Sequence, residues 1–174
     1  MAAVSASWRD LIKPDLVLGG TVLDLTPELL HRHRLAGMVL DVDDTLVPMS
    51  SSEVTAELGE WLAQTRQLTT LWLVSNNPSS NRIGRIAAAL DLPYIHGAGK
   101  PSRRKLRQAV GAMNLPPHQV AMVGDRLFTD VLAGNRLGLF TILVEPVVSP
   151  TSLLGKHTLR SLEIWLSQAI NRPA

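Results

Sequence analysis

Carboxylates, a hydroxyl and a lysine recur along this chain, each just after a short apolar run. The segment GMVLDVDDTLVP, residues 37–48, puts Asp41, Asp43 and Asp44 directly behind the apolar stretch 38–40. Negative charges so close repel one another, so a fold that keeps them together must either neutralise them or use them. The run 71–75 ends in Ser75 and continues into Asn76 and Asn77. The run 94–96 leads into Gly97-Ala98-Gly99-Lys100-Pro101, and 120–124 leads into Asp125-Arg126-Leu127-Phe128-Thr129-Asp130. Each feature alone has an ordinary reading: acidic residues after a strand make turns and caps, and lysines are mostly solvated. Four such groups in this order, each at a run's end, form a set suited to phosphoryl chemistry. There, catalysis is largely positioning and electrostatic stabilisation.

The elements that must position these groups follow from the apolar pattern. Runs 38–41, 71–75, 94–96, 120–124 and 140–144 are short and nearly continuously apolar, as expected of strands covered on both faces. Helical spacing fills the gaps. It covers 53–66 (Val54, Leu58, Trp61, Leu62), 81–90 (Ile83, Ile86, Ala87, Leu90), 102–113 (Leu106, Val110, Met113, opened by a capping Ser102) and 128–137. This alternation predicts a doubly wound α/β sheet of five mainly parallel strands. Ligands of such sheets bind beyond the carboxyl ends of the strands, where the polar groups stand. Two flanks remain. LTPELLHRH starts a helix with Thr26 as N-cap and Pro27 at the first position. Residues 158–170 read as a closing amphipathic helix with Leu162, Trp165, Leu166 and Ile170 on one face. The chain is expected to be one domain over 1–174, with a catalytic core at about 36–145 between these flanks.

Composition bounds the rest. At 174 residues, with 45% hydrophobic and 18% charged residues, the chain is a globular protein and not a disordered one. It has no apolar stretch of membrane-spanning length and no signal-peptide pattern at residues 1–13. The absence of cysteine rules out disulfides, thiolate metal sites and a cysteine nucleophile, and fits a cytoplasmic setting. A formal charge of +2 disfavours a nucleic-acid partner, because such binding rests on neutralising many phosphates. His31 and His33 are two apart on a helix and share no face, so they read as surface residues. Trp61, Trp72 and Trp165 fall at apolar positions and read as core.

The four strand ends together resemble the haloacid dehalogenase (HAD) superfamily of phosphohydrolases. Its first motif, Asp-x-Asp-x-Thr, is matched by Asp41, Asp43 and Thr45; its second by Ser75; its third by Lys100; its fourth by Gly124, Asp125 and Asp130. The stretches DDTLVP, SNN, GKPS and VGDRLFTDVLAGNRLGLFTILV are most similar to the YqeG-type, class IIIA members, a group related to phosphatidylglycerophosphate phosphatases. The resemblance implies a nucleophilic Asp41 that carries a phosphoaspartyl intermediate, and Asp43 as acid and then base. It implies Ser75, Asn76 and Lys100 as phosphate-binding groups. Mg²⁺, which takes oxygen ligands, would be held by the Asp41 and Asp125 side chains and the Asp43 carbonyl, with Thr45 and Asp130 supporting from behind. Asp44 fills a variable position and is given no chemistry.

Family members differ in cap domains inserted after the first motif or between the second and third. Here only residues 46–52 follow the first motif, and 76–100 hold little beyond a helix and a strand, so no cap is expected. An uncovered site suits a large or surface-held phosphomonoester, or a site completed by a second subunit in a homo-oligomer; the family resemblance implies a phospholipid at a membrane surface as the first choice among these. Trp8, Leu11 and Ile12 beside Lys13, and the basic stretch KPSRRKLR, can meet anionic membrane. The commoner fate of such residues is a docked terminus and, for Arg103, Arg104 and Arg107, a solvated helix face. A capless phosphatase for protein, nucleic-acid-end or small-metabolite phosphates shares the same chemistry. A signalling receiver does not fit, because its acceptor Asp sits on a later strand than its acidic pair. A non-catalytic binding module leaves the complete set of groups without a purpose.

Overall fold

The structure, a computed structural model, describes residues 8–147. Its strands are β1 (Leu16–Val17), β2 (Gly37–Leu40), β3 (Thr70–Val74), β4 (Tyr94–Ile95), β5 (Val120–Gly124) and β6 (Phe140–Leu143). They form one sheet in the order β1-β6-β5-β2-β3-β4, every neighbouring pair parallel. Six strands stand where the sequence predicts five. The extra one, β1, is two residues long at a sheet edge, too short to carry an alternation signal. It is held from outside the ladder. The Asp15 carboxylate accepts from the Thr141 N–H at 2.7 Å and its hydroxyl at 2.9 Å, and the Asp15 N–H donates to that hydroxyl at 3.0 Å.

Side-chain alternation along the strands separates two cores. Met38, Leu40, Leu71, Leu73, Ala121 and Val123 face one layer, formed by α2 (Pro27–Arg32), α3 (Ala56–Thr65) and α4 (Ser80–Leu90). Val39, Trp72, Val74, Val120 and Met122 face the other, formed by α5 (Arg104–Met113) and α6 (Leu132–Leu137). All four residues of β2 are buried, which explains a strand with no polar position. Trp61 lies in the first core, its indole N–H donating to the Leu25 carbonyl at 3.0 Å; Trp72 is half-buried against the second.

Helix boundaries depart from the periodicity at their ends. α3 starts at Ala56 and not at Glu53, because the Thr55 hydroxyl accepts from the Leu58 N–H and caps it. Val54 stays outside the helix yet packs on the core. α5 starts at Arg104, with Arg103 at the cap position and Ser102 one residue earlier. Thr26 does precede α2, with Pro27 at its first position, but makes no side-chain cap bond. The helix expected over 128–137 is divided into a π-helical turn, Leu127–Val131, and the short α6. Ahead of β1, α1 (Trp8–Leu11) leads into a segment held by buried Ile12 and by Asn135, whose Nδ2 donates to the carbonyls of Leu11 and Lys13 at 2.9 and 2.8 Å. The closing helix expected at 158–170, with Trp165, lies outside the described residues.

Chain order along the sheet reverses at β2. From it the chain steps outward through β3 to β4, then returns by α5 to β5 on the opposite side of β2. The crevice beyond the carboxyl ends of β2 and β5 is therefore a topological switch point, the usual ligand site of an open α/β sheet.

Candidate active site

Asp41 is the first residue beyond β2. Its N–H donates to the Val123 carbonyl at 2.9 Å, so the nucleophile candidate is tied to the neighbouring strand before the chain turns away. Val42 points into the core while Asp41 and Asp43 line a cleft of about 250 Å³. The two-residue spacing thus puts both carboxylates on the cleft side, as extended backbone requires. The chain then closes a tight turn: Thr45, Leu46 and Val47 all donate to the Val42 carbonyl, and Asp44 adopts a left-handed conformation with φ 60°.

Lys100 organises the acidic groups. It is buried, and its ammonium lies 2.7 Å from Asp41 Oδ1, 2.7 Å from Asp130 Oδ1 and 2.8 Å from the Val74 carbonyl. Asp41 Oδ1 and the Val74 carbonyl accept hydrogen bonds from it, and Asp130 Oδ1 is its ion-pair partner, so contact with a phosphate oxygen requires a shift of one of these three oxygens. Burial alone would lower the Lys100 pKa, but Asp130 and Asp41 outweigh it and the net direction is upward. Its loop is pinned by Asn76, whose side-chain amide accepts from the Lys100 N–H at 2.7 Å and donates to the Lys100 carbonyl at 3.0 Å. The Asn76 side chain therefore serves Lys100, although Asn76 lines the cleft as the phosphate-binding assignment requires.

Asp125 and Asp130 arrive from the end of β5. Gly124 allows their approach, because a Cβ there would overlap the Asp130 carboxylate. The π-helical turn directs Asp130 back under Lys100, and Asp130 Oδ2 accepts from the Arg126 N–H at 3.3 Å. Thr45 donates its hydroxyl to Asp125 Oδ1 at 3.3 Å, linking the first and fourth motifs. Asp41, Asp125 and Asp130 each offer one oxygen, all within 4.8 Å of one another. Burial, with carboxylate neighbours adding to it, raises Asp41 to about 6 and Asp125 to about 7, against the opposing pull of Lys100 and Arg126 respectively. Three crowded, desolvated carboxylates suit a hard divalent cation of the Mg²⁺ kind. Asp130, expected to support from behind, both orients Lys100 and presents an oxygen to this cluster.

The Asp43 side chain turns away from the cluster. Oδ1 ion-pairs with Arg82, while Oδ2 accepts from Asn77 Nδ2 at 3.0 Å and the Ser75 hydroxyl at 3.4 Å. Ser75 in turn accepts from the Asn77 N–H at 3.0 Å. Asp44 has a structural task that the sequence did not disclose. Its Oδ1 accepts from the Met49 N–H at 2.9 Å and its Oδ2 lies 3.5 Å from Arg126. Arg82 and Asn77 also escaped the sequence reading. SNN flagged Asn77's neighbourhood, but an arginine on a helix's first turn carries no signal distinguishing it from a solvated one. His31 is exposed, and His33 stacks against Phe140 with ring centres 4.6 Å apart, so neither belongs to the site.

Residues 97–159 match the HAD-hydrolase-like family. The chain is 32% identical over 151 residues to the protein named "Probable phosphatase YqeG" of Bacillus subtilis, covering 87% of each. It is 28% identical over 152 residues to the chloroplastic phosphatidylglycerophosphate phosphatase 1 of Chlamydomonas reinhardtii, covering 79% of this chain and 56% of that longer one. Among solved structures, the HAD-hydrolase YfnB of Bacillus subtilis, crystallised with magnesium, superposes with a TM-score of 0.53 at 12% identity, over 69% of this chain and 91% of that one. That likeness is one of fold.

Proposed function

The chain belongs to the HAD superfamily as a YqeG-type phosphatase, and on that footing we propose that it hydrolyses large or lipid phosphomonoesters through a phosphoaspartyl intermediate on Asp41. One observation carries the reading. Asp41, at the end of the central strand, is held by Lys100 and shares its cleft with Asp43, Ser75 and Asp130. In the proposed reaction Asp41 attacks phosphorus and the ester P–O bond breaks. Asp43 passes a proton to the leaving oxygen, then takes one from the water that cleaves the acyl phosphate. Ser75 donates to a phosphoryl oxygen, and Lys100 exchanges a protein oxygen for another. Asp41, Asp125 and Asp130 would hold Mg²⁺, which when bound supplies positive charge against the phosphoryl oxygens.

A lipid phosphate is the favoured substrate on two grounds. One relative is named for phosphatidylglycerophosphate. One exposed apolar side chain, Met49 at 51%, also stands in the otherwise mostly polar lining of the cleft. Among the described residues, only irregular chain joins the first motif to α3, so no cap closes over a small substrate. The test is a turnover panel in Mg²⁺ with phosphatidylglycerophosphate in mixed micelles, sugar phosphates, nucleotides and phosphopeptides. Preference for the lipid by about tenfold or more in kcat/KM is expected, at least what one added methylene gives in a hydrophobic pocket. Indifference among the four classes replaces the lipid reading with that of a general capless phosphatase.

A further inference from the structure

Arg82 stands behind the catalytic pair and not in the cleft. It lies on the first turn of α4, where the Ser79 hydroxyl accepts from its N–H at 3.3 Å and caps the helix. Its side chain is 14% exposed. One arm, Nη1, pairs with Asp43 Oδ1; the other, Nη2, donates to the Ser51 carbonyl at 2.6 Å and the Pro48 carbonyl at 3.1 Å. Asp43 lines the cleft and Arg82 does not.

We infer that Arg82 is a positioning residue for the reaction, fixing Asp43 by Oδ1 so that Oδ2 is the oxygen that exchanges a proton with substrate and water. This rests on the reading of Asp43 as acid and base. Arg82 holds Oδ1 with a charged donor that stands outside the cleft, which turns that oxygen away from substrate. Oδ2 lies on the cleft side among the neutral groups of Asn77 and Ser75, and the Ser75 hydroxyl can turn from donor to acceptor there. Rotation about the Cβ–Cγ bond of Asp43 would swap the two oxygens. Anchorage of the guanidinium to two loop carbonyls opposes that swap, and lysine, with no planar fork, cannot reproduce it fully. As the ester bond breaks, its electron pair stays with the leaving oxygen, which takes the Oδ2 proton, while the phosphoryl group passes to Asp41. Water then attacks phosphorus, one of its protons returns to Oδ2, and inorganic phosphate departs with Asp41 restored.

Leaving-group dependence separates this role from support of the fold. An alkoxide needs a proton to depart and 4-nitrophenolate does not, and kcat/KM includes that departure. Wild type, Arg82→Ala and Arg82→Lys are compared on glycerol 3-phosphate and 4-nitrophenyl phosphate with Mg²⁺, and thermal unfolding is followed in parallel. Arg82→Ala is expected to lose about 100-fold in kcat/KM on the alkyl ester and about tenfold less on the aryl ester, as for loss of general acid catalysis. Arg82→Lys recovers part of the difference and carries the same comparison should Arg82→Ala fold poorly. Asp43→Asn shows the same alkyl-over-aryl pattern, and adding Arg82→Ala to it costs nothing further. Equal losses on both esters, or additive losses in the double variant, overturn the inference and leave Arg82 a residue of the fold. If Asp43→Asn itself fails to discriminate between the esters, the acid–base reading falls and takes this inference with it.

Discussion

At the scale of single residues, the site is a problem of charge packing solved by one lysine. Asp41 and Asp130 both lie against the Lys100 ammonium, and removing it strands two buried carboxylates. Lys100→Ala is expected to destabilise the fold by about 3–5 kcal/mol, the range for breaking a buried pair from one side. The loss should be smaller near about pH 5, where Asp41, which burial raises to about 6, can take up a proton, and calorimetry at about pH 5 and about pH 8 measures it. The pH dependence of the metal-free protein has a defined sign. Burial raises Asp41 to about 6 and Asp125 to about 7, above the ordinary carboxylate range. The folded state therefore holds protons that the unfolded chain has released. Stability from these two groups falls as pH rises from about 4 through about 7 and levels off above that. Lys100, shifted upward, loses its proton only at higher pH and does not reverse the trend. Thermal melts in chelator across that window should show the decline.

At the scale of elements, the placement of the site depends on one strand end and one unusual turn. β2 delivers Asp41 and Asp43, while the π-helical turn after β5 brings Asp130 beneath Lys100 over a Gly124 that has no room for a side chain. Gly124→Ala is expected to push the Asp130 carboxylate aside, destabilise the protein by about 1–3 kcal/mol as overpacking does, and weaken activation by Mg²⁺. Metal titrations of turnover test the second effect. The parallel sheet, five of its strands and the residues that it brings to one cleft were legible because buried parallel strands are apolar throughout and their polar exits stand out. Five matched motif positions, Asp41, Asp43, Ser75, Lys100 and Asp130, line the cleft; Asp125 clusters with two of them, and Thr45 donates to Asp125. Other features were illegible for physical reasons. β1 is fixed by Asp15 and Thr141, 126 residues apart, a contact no local pattern encodes. The π-turn shares its apolar spacing with an α-helix, which is why 128–137 read as one helix. Arg82 and Asp44 act through backbone carbonyls and N–H groups of a loop, partners that leave no mark on residue type.

At the scale of the whole molecule, the site lies at the sheet's switch point, and among the described residues only irregular chain joins the first motif to α3; the proposed reading takes this as room for a phosphate presented on a large body. No helix among the described residues is long and apolar enough to cross a membrane. Binding of Mg²⁺ to the folded state alone should raise thermal stability, by about 2.7 kcal/mol at a hundredfold excess over Kd. The increment should grow from about pH 5 to about pH 8 as Asp41 and Asp125 deprotonate, and Asp125→Asn should remove most of it. All of this serves the claim that phosphate passes through Asp41. The most direct test is the intact mass of the enzyme quenched in acid during turnover of a good substrate. The account predicts a population heavier by one phosphoryl group, placed on Asp41 by peptide mapping and absent from Asp41→Asn, which also loses turnover by about 10⁴-fold or more as nucleophile removal does. An unmodified wild type under single-turnover conditions, a phosphoryl group on another residue, or an Asp41→Asn variant that still turns over would contradict it.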